Sequence, residues 1–304
     1  MKIGCLITQI SLPENYHSFM DGLDQSRYDS LAKCALNSFK KFHPKIDIHY
    51  VNDTNFYEYY EQGFDTFPLV NNIGIVKFII AYDLMIKKGY NKIIILGCDT
   101  ITCSPLDEFL NDSTDVLATL NYPCQESTEC WVTPIIETFN GNHEHANINA
   151  DVVCFNNPDA LKKVIELSLI HDTHFSEQGG LNELAWVDKS YPVKIVDFPY
   201  STSQVVYNAR SKGVFGTDMI HKGLLIKHGH LDGQPSPVRK FYVKDKKLYT
   251  QDHKQIKVWH YVEGLGGRSD EQFYELLDDF KTNWFNQETL QFFREECGCN
   301  EFFN

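Results

Sequence analysis

Basic residues are scarce in this 304-residue chain. Lysine and arginine together number 28, against 41 aspartate and glutamate residues, and the formal net charge is −13. Because phosphate backbones recruit basic surfaces, this balance argues against nucleic acid as the main partner. An acidic surface also keeps a protein soluble, so the charge by itself indicates no particular ligand.

Long hydrophobic runs and targeting signals are missing as well. No run approaches the roughly 20 apolar residues that a membrane-spanning helix needs. The apolar stretch within residues 1–8 is too short for a signal peptide, and polar residues follow it at once. We therefore expect no transmembrane segment and a cytoplasmic protein.

Paired cysteine motifs are absent, although the chain has nine cysteines. No Cys-x-x-Cys arrangement suggests zinc. Cys5 and Cys154 stand in apolar runs that predict strands, where a free cysteine behaves as a small hydrophobic residue. Cys297-Gly298-Cys299 stands alone near the C-terminus, and no metal site is expected from it. A reducing compartment is favoured.

The glycine-rich fingerprint of dinucleotide-binding proteins does not follow the first predicted strand. Residues 9–14 there read Gln-Ile-Ser-Leu-Pro-Glu, which is neither glycine-rich nor basic. This disfavours a dinucleotide-dependent dehydrogenase. It also disfavours a nucleotidyltransferase that forms sugar nucleotides, because that class needs a glycine-rich, basic loop at this point.

What is present is an alternation of strand and helix patterns. Strands are predicted at 3–8, 46–51 and 92–96, with helices at 26–42 and 75–88 between them. This order implies right-handed crossovers and a mostly parallel sheet. The second half predicts strands at 115–120, 148–155, 193–196, 224–227 and 257–262, a hairpin at 241–250, and helices at 158–170, 176–186 and 270–284. We expect one α/β domain over 1–304, with 121–147 as a long loop and 269–304 as a helical extension.

An aspartate at the end of the strand 92–96 is the strongest local feature. The run Ile93-Ile94-Ile95-Leu96 leads through Gly97 and Cys98 into Asp99. Ligands of open α/β sheets bind at the carboxyl ends of strands, and carboxylates suit Mg²⁺ and Mn²⁺. Asp99 could instead cap the turn or helix that follows it.

A second strand end carries groups that suit an anion. His260 lies at the end of a predicted strand, and Gly264, Gly266, Gly267 and Arg268 follow. Glycine-rich turns expose backbone N–H groups, and arginine binds phosphate with two hydrogen bonds. A solvated connection is the alternative. Together with Asp99, these residues suggest a site for a metal and a diphosphate.

These stretches resemble glycosyltransferase family 8, whose members are retaining enzymes with the GT-A fold. Residues 96–99 match the strand that ends in Asp-x-Asp, with Asp99 as its second aspartate. Residues 148–156 are similar to the family's strand that opens with Asn-Ala-Gly or Asn-Ser-Gly. Residues 175–182 are similar to its Asp-Gln-x-x-x-Asn helix start, and residues 259–261 to its late metal-binding histidine. The shared order of these motifs spans nearly the whole chain.

The resemblance implies a GT-A, Rossmann-like fold with a mixed, mostly parallel sheet flanked by helices. It implies transfer of a hexose with retention from a nucleotide-sugar, expected to be UDP-linked, to a carbohydrate or protein acceptor. The metal, Mn²⁺ or Mg²⁺, would be held by Asp99 and His260. The candidate donor-binding residues are Thr8, Lys77, Asp99, Asn149, Gly266, Gly267 and Arg268. The candidate catalytic residues are Gln178, Glu177 and Asp151.

The chain also departs from the family pattern. Gly97 replaces the first aspartate of Asp-x-Asp, Asp151 stands where glycine is usual, and Glu177 replaces an aspartate. His228 is a second candidate for the metal histidine. A module that binds nucleotide-sugars without catalysis therefore remains an alternative to an active transferase.

Overall fold

The structure, a computed structural model, describes residues 1–10, 25–56, 58–59, 73–120, 148–170, 176–196, 241–250, 253, 255–260 and 286–300. The strands are β1 (Ile3–Gln9), β2 (Asp47–Asn52), β3 (Lys92–Gly97), β4 (Thr100–Thr102), β5 (Val116–Leu120), β6 (Ile148–Phe155), β7 (Val193–Ile195), β8 (Phe241–Lys244), β9 (Lys247–Thr250) and β10 (Val258–His260). The α-helices are α1 (Gln25–Phe42), α2 (Ile73–Lys88), α3 (Asp107–Asn111), α4 (Pro158–Ile170), α5 (Ser176–Glu183) and α6 (Gln287–Glu295).

The chain forms two compact units, each built from several separate stretches. The first comprises residues 1–18, 45–98 and 106–197, and the second comprises residues 19–44, 99–105 and 198–304. The single domain expected from the sequence stays a prediction. Among the residues that the structure describes, no helix is both long and apolar enough to cross a membrane.

A six-stranded mixed sheet organises the first unit. Its strand order is β2-β1-β3-β6-β5-β7. The pairs β1–β2, β1–β3 and β5–β7 are parallel, whereas β6 runs antiparallel to both β3 and β5. The expected α/β class, with a mixed and mostly parallel sheet flanked by helices, is confirmed.

Strand β3 is buried along its whole length. Its run of three isoleucines and a leucine is the composition of a strand that is covered on both faces, which explains why it does not alternate with polar residues. The segment predicted at 92–96 extends one residue further, to Gly97. The chain then turns at Cys98 and Asp99.

Helix α2 of the first unit packs against this sheet. Phe78 of α2 packs against Phe155 of β6, with ring centroids 5.6 Å apart in an edge-to-face arrangement. Helix α2 ends before Gly89, which has φ 70°, the left-handed conformation in which glycine commonly ends a helix. Helix α5 is shorter than the predicted 176–186, because the chain continues as a π-helical turn, Leu184–Asp188, which ends at left-handed Lys189.

The second unit contains α1, the two short strands β4 and β10, the hairpin β8–β9 and α6. Strands β4 and β10 pair antiparallel, and β4 was not predicted from the sequence. The predicted hairpin is confirmed. Helix α6 begins after Asn286, whose side-chain Oδ1 accepts a hydrogen bond from the backbone N–H of Thr289 at 2.8 Å. The predicted loop 121–147, strand 224–227 and helix 270–284 lie outside the described residues.

Candidate functional site

In the second unit, the structure brings together the two residues predicted to bind metal. His260 is the last residue of β10 and lies opposite Thr100 of β4, so its ring is near Asp99, the residue before Thr100. His260 Nε2 lies 3.3 Å from Asp99 Oδ1. The histidine side chain is 2% exposed and that of Asp99 is 17% exposed. The pair is therefore largely shielded from solvent.

The position of His260 is fixed by its neighbour in β10. Trp259 is buried, and its ring lies edge to face with Phe293 of α6, at 5.7 Å between centroids. Because side chains alternate along a strand, the packing of Trp259 on one side directs His260 to the other. A short strand thus holds the imidazole in a defined orientation.

The donor atoms of this pair suit a divalent cation. Imidazole nitrogen and carboxylate oxygen both bind Mn²⁺, and carboxylates also bind Mg²⁺. Within the part of the chain that the structure describes, no group of three or more His, Cys, Asp or Glu side chains is arranged to hold a metal ion. Asp99 and His260 would therefore leave the other coordination positions to further ligands.

In the first unit, Lys77 joins two of the predicted catalytic acids. Its Nζ lies 2.5 Å from Oδ1 of Asp151 and 3.9 Å from Oε1 of Glu177. The three residues come from α2, β6 and α5. The side chains of Lys77 and Glu177 are each 8% exposed, while that of Asp151 is 37% exposed. Asp151 stands at a position where the family pattern has glycine, and it is the more solvent-exposed of the two carboxylates.

Glu177 is confined. Burial raises the pKa of its carboxyl group, the charge of Lys77 opposes that rise, and Asp151 adds to it. Among the described residues, Glu177 Oε2 has no hydrogen-bond partner. A Cβ atom added at Gly74 in the first turn of α2 would overlap this carboxylate. The glycine therefore makes the space that Glu177 occupies.

Hydrogen bonds tie the start of β6 to α5. The backbone N–H of Ile148 donates to Oδ1 of Asn182 at 3.0 Å, and Asn182 Nδ2 donates to the carbonyl of Gln178 at 2.7 Å. The backbone N–H of Asp151 donates to Oδ1 of Asn149 at 2.7 Å. Asn182 was not among the predicted site residues, although it ends the motif at 175–182. It acts by positioning β6 relative to α5.

Among the residues that the structure describes, no contact links the remaining predicted site residues to either of these two groups. Thr8 is half-buried near the end of β1, where it lies between Val51 of β2 and Gly97 of β3. Gly266, Gly267 and Arg268 lie outside the described residues, as does the alternative metal histidine, His228.

Comparison with solved structures finds similarity along most of the chain. The galactosyltransferase LgtC, solved in complex with donor and acceptor sugar analogues, is 13% identical. The match covers 91% of this chain and 95% of LgtC, with a TM-score of 0.42. The bifunctional glycosyltransferase WbbM, in its apo form, is 12% identical, with 97% of this chain and 52% of that chain covered and a TM-score of 0.48.

A third similar structure is the glycosyltransferase GlyE of Streptococcus pneumoniae TIGR4. It is 13% identical, with 99% of this chain and 63% of that chain covered and a TM-score of 0.44. All three are glycosyltransferases. No protein-family model matches the chain, and no curated protein sequence matches it.

Proposed function

We propose that this protein is a metal-assisted glycosyltransferase that moves a hexose from a UDP-linked donor to a carbohydrate or protein acceptor, with retention. The observation that carries the proposal is the shielded pair of Asp99 and His260, 3.3 Å apart at the start of β4 and the end of β10. These residues occupy the two positions at which the sequence motifs lead us to expect metal ligands.

Asp99 and His260 would hold Mn²⁺ or Mg²⁺. A divalent ion, when bound, supplies positive charge that stabilises a leaving diphosphate. Because the pair provides two ligands, coordination positions remain for phosphate oxygens. We assign Arg268 and the backbone amides near Gly266 and Gly267 to the diphosphate as well, and Thr8 to the nucleotide.

The acids around Lys77 would bind the sugar. Ionised carboxylates only accept hydrogen bonds, and sugar hydroxyls can donate them. Lys77 holds Asp151 by its 2.5 Å contact and offsets the charge of the buried Glu177 carboxylate, while Asp151 stays partly exposed. We assign Asn149 to the sugar and Gln178 to the region under the anomeric carbon. An amide is a poor nucleophile, so we propose front-face transfer.

A non-catalytic binding module is the second candidate function. Two features favour it: Gly97 removes a carboxylate from the Asp-x-Asp position, and the Asp151 carboxylate is engaged by Lys77. Such a module would bind the donor and leave it intact.

Calorimetric titration with UDP, UDP-glucose and UDP-galactose, with and without Mn²⁺, tests the donor and metal assignments. We expect binding that needs Mn²⁺, with affinity reduced at least tenfold in Asp99→Asn and in His260→Ala, because loss of even an outer-shell partner costs about 10- to 100-fold. The matched control is Asp245→Asn, an exposed carboxylate of the β8–β9 turn in the same unit, which should bind as the unmodified chain does.

Equal affinity with and without Mn²⁺ would contradict the metal assignment. If His228→Ala weakens binding and His260→Ala does not, His228 is the metal ligand. Release of UDP from a bound donor in the presence of acceptors or water separates the two functions, since the binding module predicts no release.

A further inference from the structure

Four cysteines from distant parts of the sequence lie in the second unit, where the backbone N–H of Thr102, next to Cys103, donates to Ser38 Oγ of the helix that contains Cys34 at 3.0 Å. Cys34 lies in α1, Cys103 directly follows β4, and Cys297 and Cys299 follow α6. Each of the four is at most 2% exposed. The sequence alone indicated no cysteine that could pair with Cys297 or Cys299, whereas the fold places Cys34 and Cys103 in the same unit.

The four thiols lie near one another. The Cys297 thiol interacts most strongly with Cys103 and the Cys299 thiol with Cys34, and weaker interactions join Cys299 to Cys297 and to Cys103. The Sγ atom of Cys103 donates to the carbonyl of Ile101 at 3.4 Å, and that of Cys299 donates to the carbonyl of Cys297 at 3.9 Å. Gly298 between them has φ 75°, a conformation that other residues rarely adopt, and it turns the chain between the two cysteines. Gly298 also lies against α1, where its carbonyl accepts a 3.5 Å hydrogen bond from Asn37 Nδ2.

The backbone around the pairs is ordered by hydrogen bonds. The N–H of Cys297 donates to the carbonyl of Phe292 at 3.2 Å, and that of Cys299 donates to the carbonyl of Phe293 at 3.0 Å. On the other side, the N–H of Cys103 donates to the carbonyl of Lys257 at 2.7 Å. Both members of the Cys103–Cys297 pair are therefore held in place before any bond forms.

Disulfide formation accounts for the arrangement of these four thiols better than metal binding does. Their strongest interactions join them two by two, and within the described residues no three His, Cys, Asp or Glu side chains are arranged to hold a metal ion. Burial raises the pKa of the Cys297 and Cys299 thiols well above the ordinary value, and the charge of Lys41 opposes this only in part. The thiol form is thus favoured once the chain has folded, and this opposes metal binding and thiol–disulfide exchange alike, because both need the thiolate.

We propose that these residues form two disulfide bonds, Cys103–Cys297 and Cys34–Cys299, which fasten the segment after α6 to α1 and to the end of β4. For each bond, a thiolate attacks a small-molecule disulfide such as oxidised glutathione and expels one glutathione thiolate. The second protein thiolate then attacks the mixed disulfide and expels the other. Two protein thiols are oxidised, one glutathione disulfide is reduced, and the two protons pass to the leaving thiolates.

The bonds form as this unit folds, because the folded chain shields all four thiols from a glutathione-sized reagent. They require an oxidising environment, in contrast to the reducing compartment that the sequence by itself favours. Oxidation fixes the end of β4, the strand that begins next to Asp99 and pairs with the strand of His260. The modification thus acts on the element that carries the proposed metal pair.

Cys5 and Cys154 of the first unit provide an internal comparison. Both are completely buried, and each lies opposite Ile94 on a different side of β3. Two strand spacings separate them by roughly 10 Å. Disulfides require Cα atoms within about 7 Å. We expect Cys5 and Cys154 to remain thiols under conditions that oxidise the other four.

The test is to refold the full chain in a mixture of oxidised and reduced glutathione, block the remaining thiols in denaturant, and map disulfides by mass spectrometry of an unreduced tryptic digest. Cleavage at Lys33, Lys40 and Arg294 isolates Cys34 in peptide 34–40 and both C-terminal cysteines in peptide 295–304. Cys103 falls in peptide 93–162. We expect peptide 295–304 joined to both of the others.

Single substitutions assign the partners. Cys103→Ser should leave only the link to peptide 34–40, and Cys34→Ser only the link to peptide 93–162. Cys297→Ala should retain Cys34–Cys299, and Cys299→Ala should retain Cys103–Cys297. Cys98→Ser, the matched control in peptide 93–162, should keep both links. The melting temperature of the oxidised chain should exceed that of the reduced chain, and Cys34→Ser/Cys103→Ser should lose this difference.

The mapping of the unmodified chain decides the matter even if a variant does not fold. Unlinked peptide 295–304 after refolding, a link between Cys34 and Cys297, or zinc bound in stoichiometric amount by the reduced chain would each overturn the proposal. Because the links are read without any donor or acceptor, they do not depend on the glycosyltransferase assignment.

Discussion

At the scale of single residues, Asp151 changes what the site of the first unit can do. The family pattern has glycine at this position, whereas here a carboxylate lies 2.5 Å from Lys77 and is 37% exposed. Lys77 therefore has an acid beside it. At the proposed sugar site, this arrangement favours recognition of hydroxyl groups over recognition of a second anionic group.

Glu177 makes the free energy of unfolding depend on pH. Its carboxyl pKa in the folded chain lies above the ordinary value of 4.5, so the folded state holds this proton more tightly than the unfolded state does. The stability that this provides is fully present below pH 4.5 and is lost as the pH rises through the raised pKa. Glu177→Gln, which cannot ionise, removes the loss.

We therefore expect the free energy of unfolding of Glu177→Gln, relative to the unmodified chain, to increase as the pH rises above 4.5. Urea denaturation at a series of pH values measures it. The control is Glu166→Gln, an exposed glutamate of α4, which should show no such trend. A difference between the Glu177→Gln and unmodified chains that does not change with pH would mean that Glu177 titrates normally.

At the scale of elements, the first turn of α2 and the first turn of α5 are fitted to each other. A Cβ at Gly74 would overlap the Glu177 carboxylate, whose position is also restricted by burial. Overpacking of this kind typically costs about 1–3 kcal/mol. The space beside Gly74 is thus filled by the carboxylate of a side chain from another helix.

Gly74→Ala should destabilise the chain by about 1–3 kcal/mol. Gly74→Ala/Glu177→Ala should recover part of this, because the second change removes the group that the new methyl meets. A double-mutant cycle measured by denaturant unfolding should give a coupling energy of about 0.5–3 kcal/mol. Additive effects would show that the added methyl group does not meet Glu177.

Lys92 fastens helix α3 to the central strand. It is 2% exposed, and its Nζ donates to the carbonyls of Phe109, Leu110 and Asp112, with distances of 3.0 Å to Leu110 and 2.8 Å to Asp112. Burial lowers the pKa of this ammonium, while nearby Cys154 and Asp112 oppose the change. A charged donor thus satisfies the carbonyls at the end of a five-residue helix.

Lys92→Met keeps the length of the side chain but leaves these carbonyls without their donor. We expect the free energy of unfolding to fall by about 1–3 kcal/mol, the range for an unsatisfied buried polar group. Chemical denaturation measures this. Lys88→Met, at an exposed position of α2, is the control and should change stability little. An equal effect of both substitutions would show that charge alone, and not the three contacts, matters.

At the scale of the whole molecule, the net charge of −13 and an ion bound at the proposed metal pair would affect stability in different ways. Self-repulsion among acidic groups weakens the compact state and is screened by any salt, with a Debye length of about 8 Å at 0.15 M. A specific ion acts through mass action and adds about 2.7 kcal/mol at 100 times its dissociation constant.

Measuring the melting temperature in NaCl and in MnCl₂ at equal ionic strength, with UDP present, separates these two effects. Both salts should raise the melting temperature, and Mn²⁺ should raise it further. Asp99→Asn should keep the rise with NaCl and lose the additional rise with Mn²⁺. If Asp99→Asn retains the full response to Mn²⁺, the metal binds elsewhere in the chain.

The sequence by itself determined the order of the elements and the position of Asp99. These depend on local signals: a buried β-branched run before Asp99 and helical spacing in α1 and α2. Such signals lie within a few neighbouring residues, so most helices and strands were predicted to within one or two residues of their ends.

Only the tertiary structure decided which side chains meet. Strand β4 has three residues and exists through its pairing with β10, and the same register brings His260 to Asp99. Lys77 and Asp151 are 74 positions apart and meet because α2 packs near β6. The four buried cysteines of the second unit likewise come from α1, the residue after β4 and the segment after α6, which lie far apart in the sequence. Contacts between distant segments depend on how elements pack, and the periodicity of a local stretch of sequence does not determine that packing.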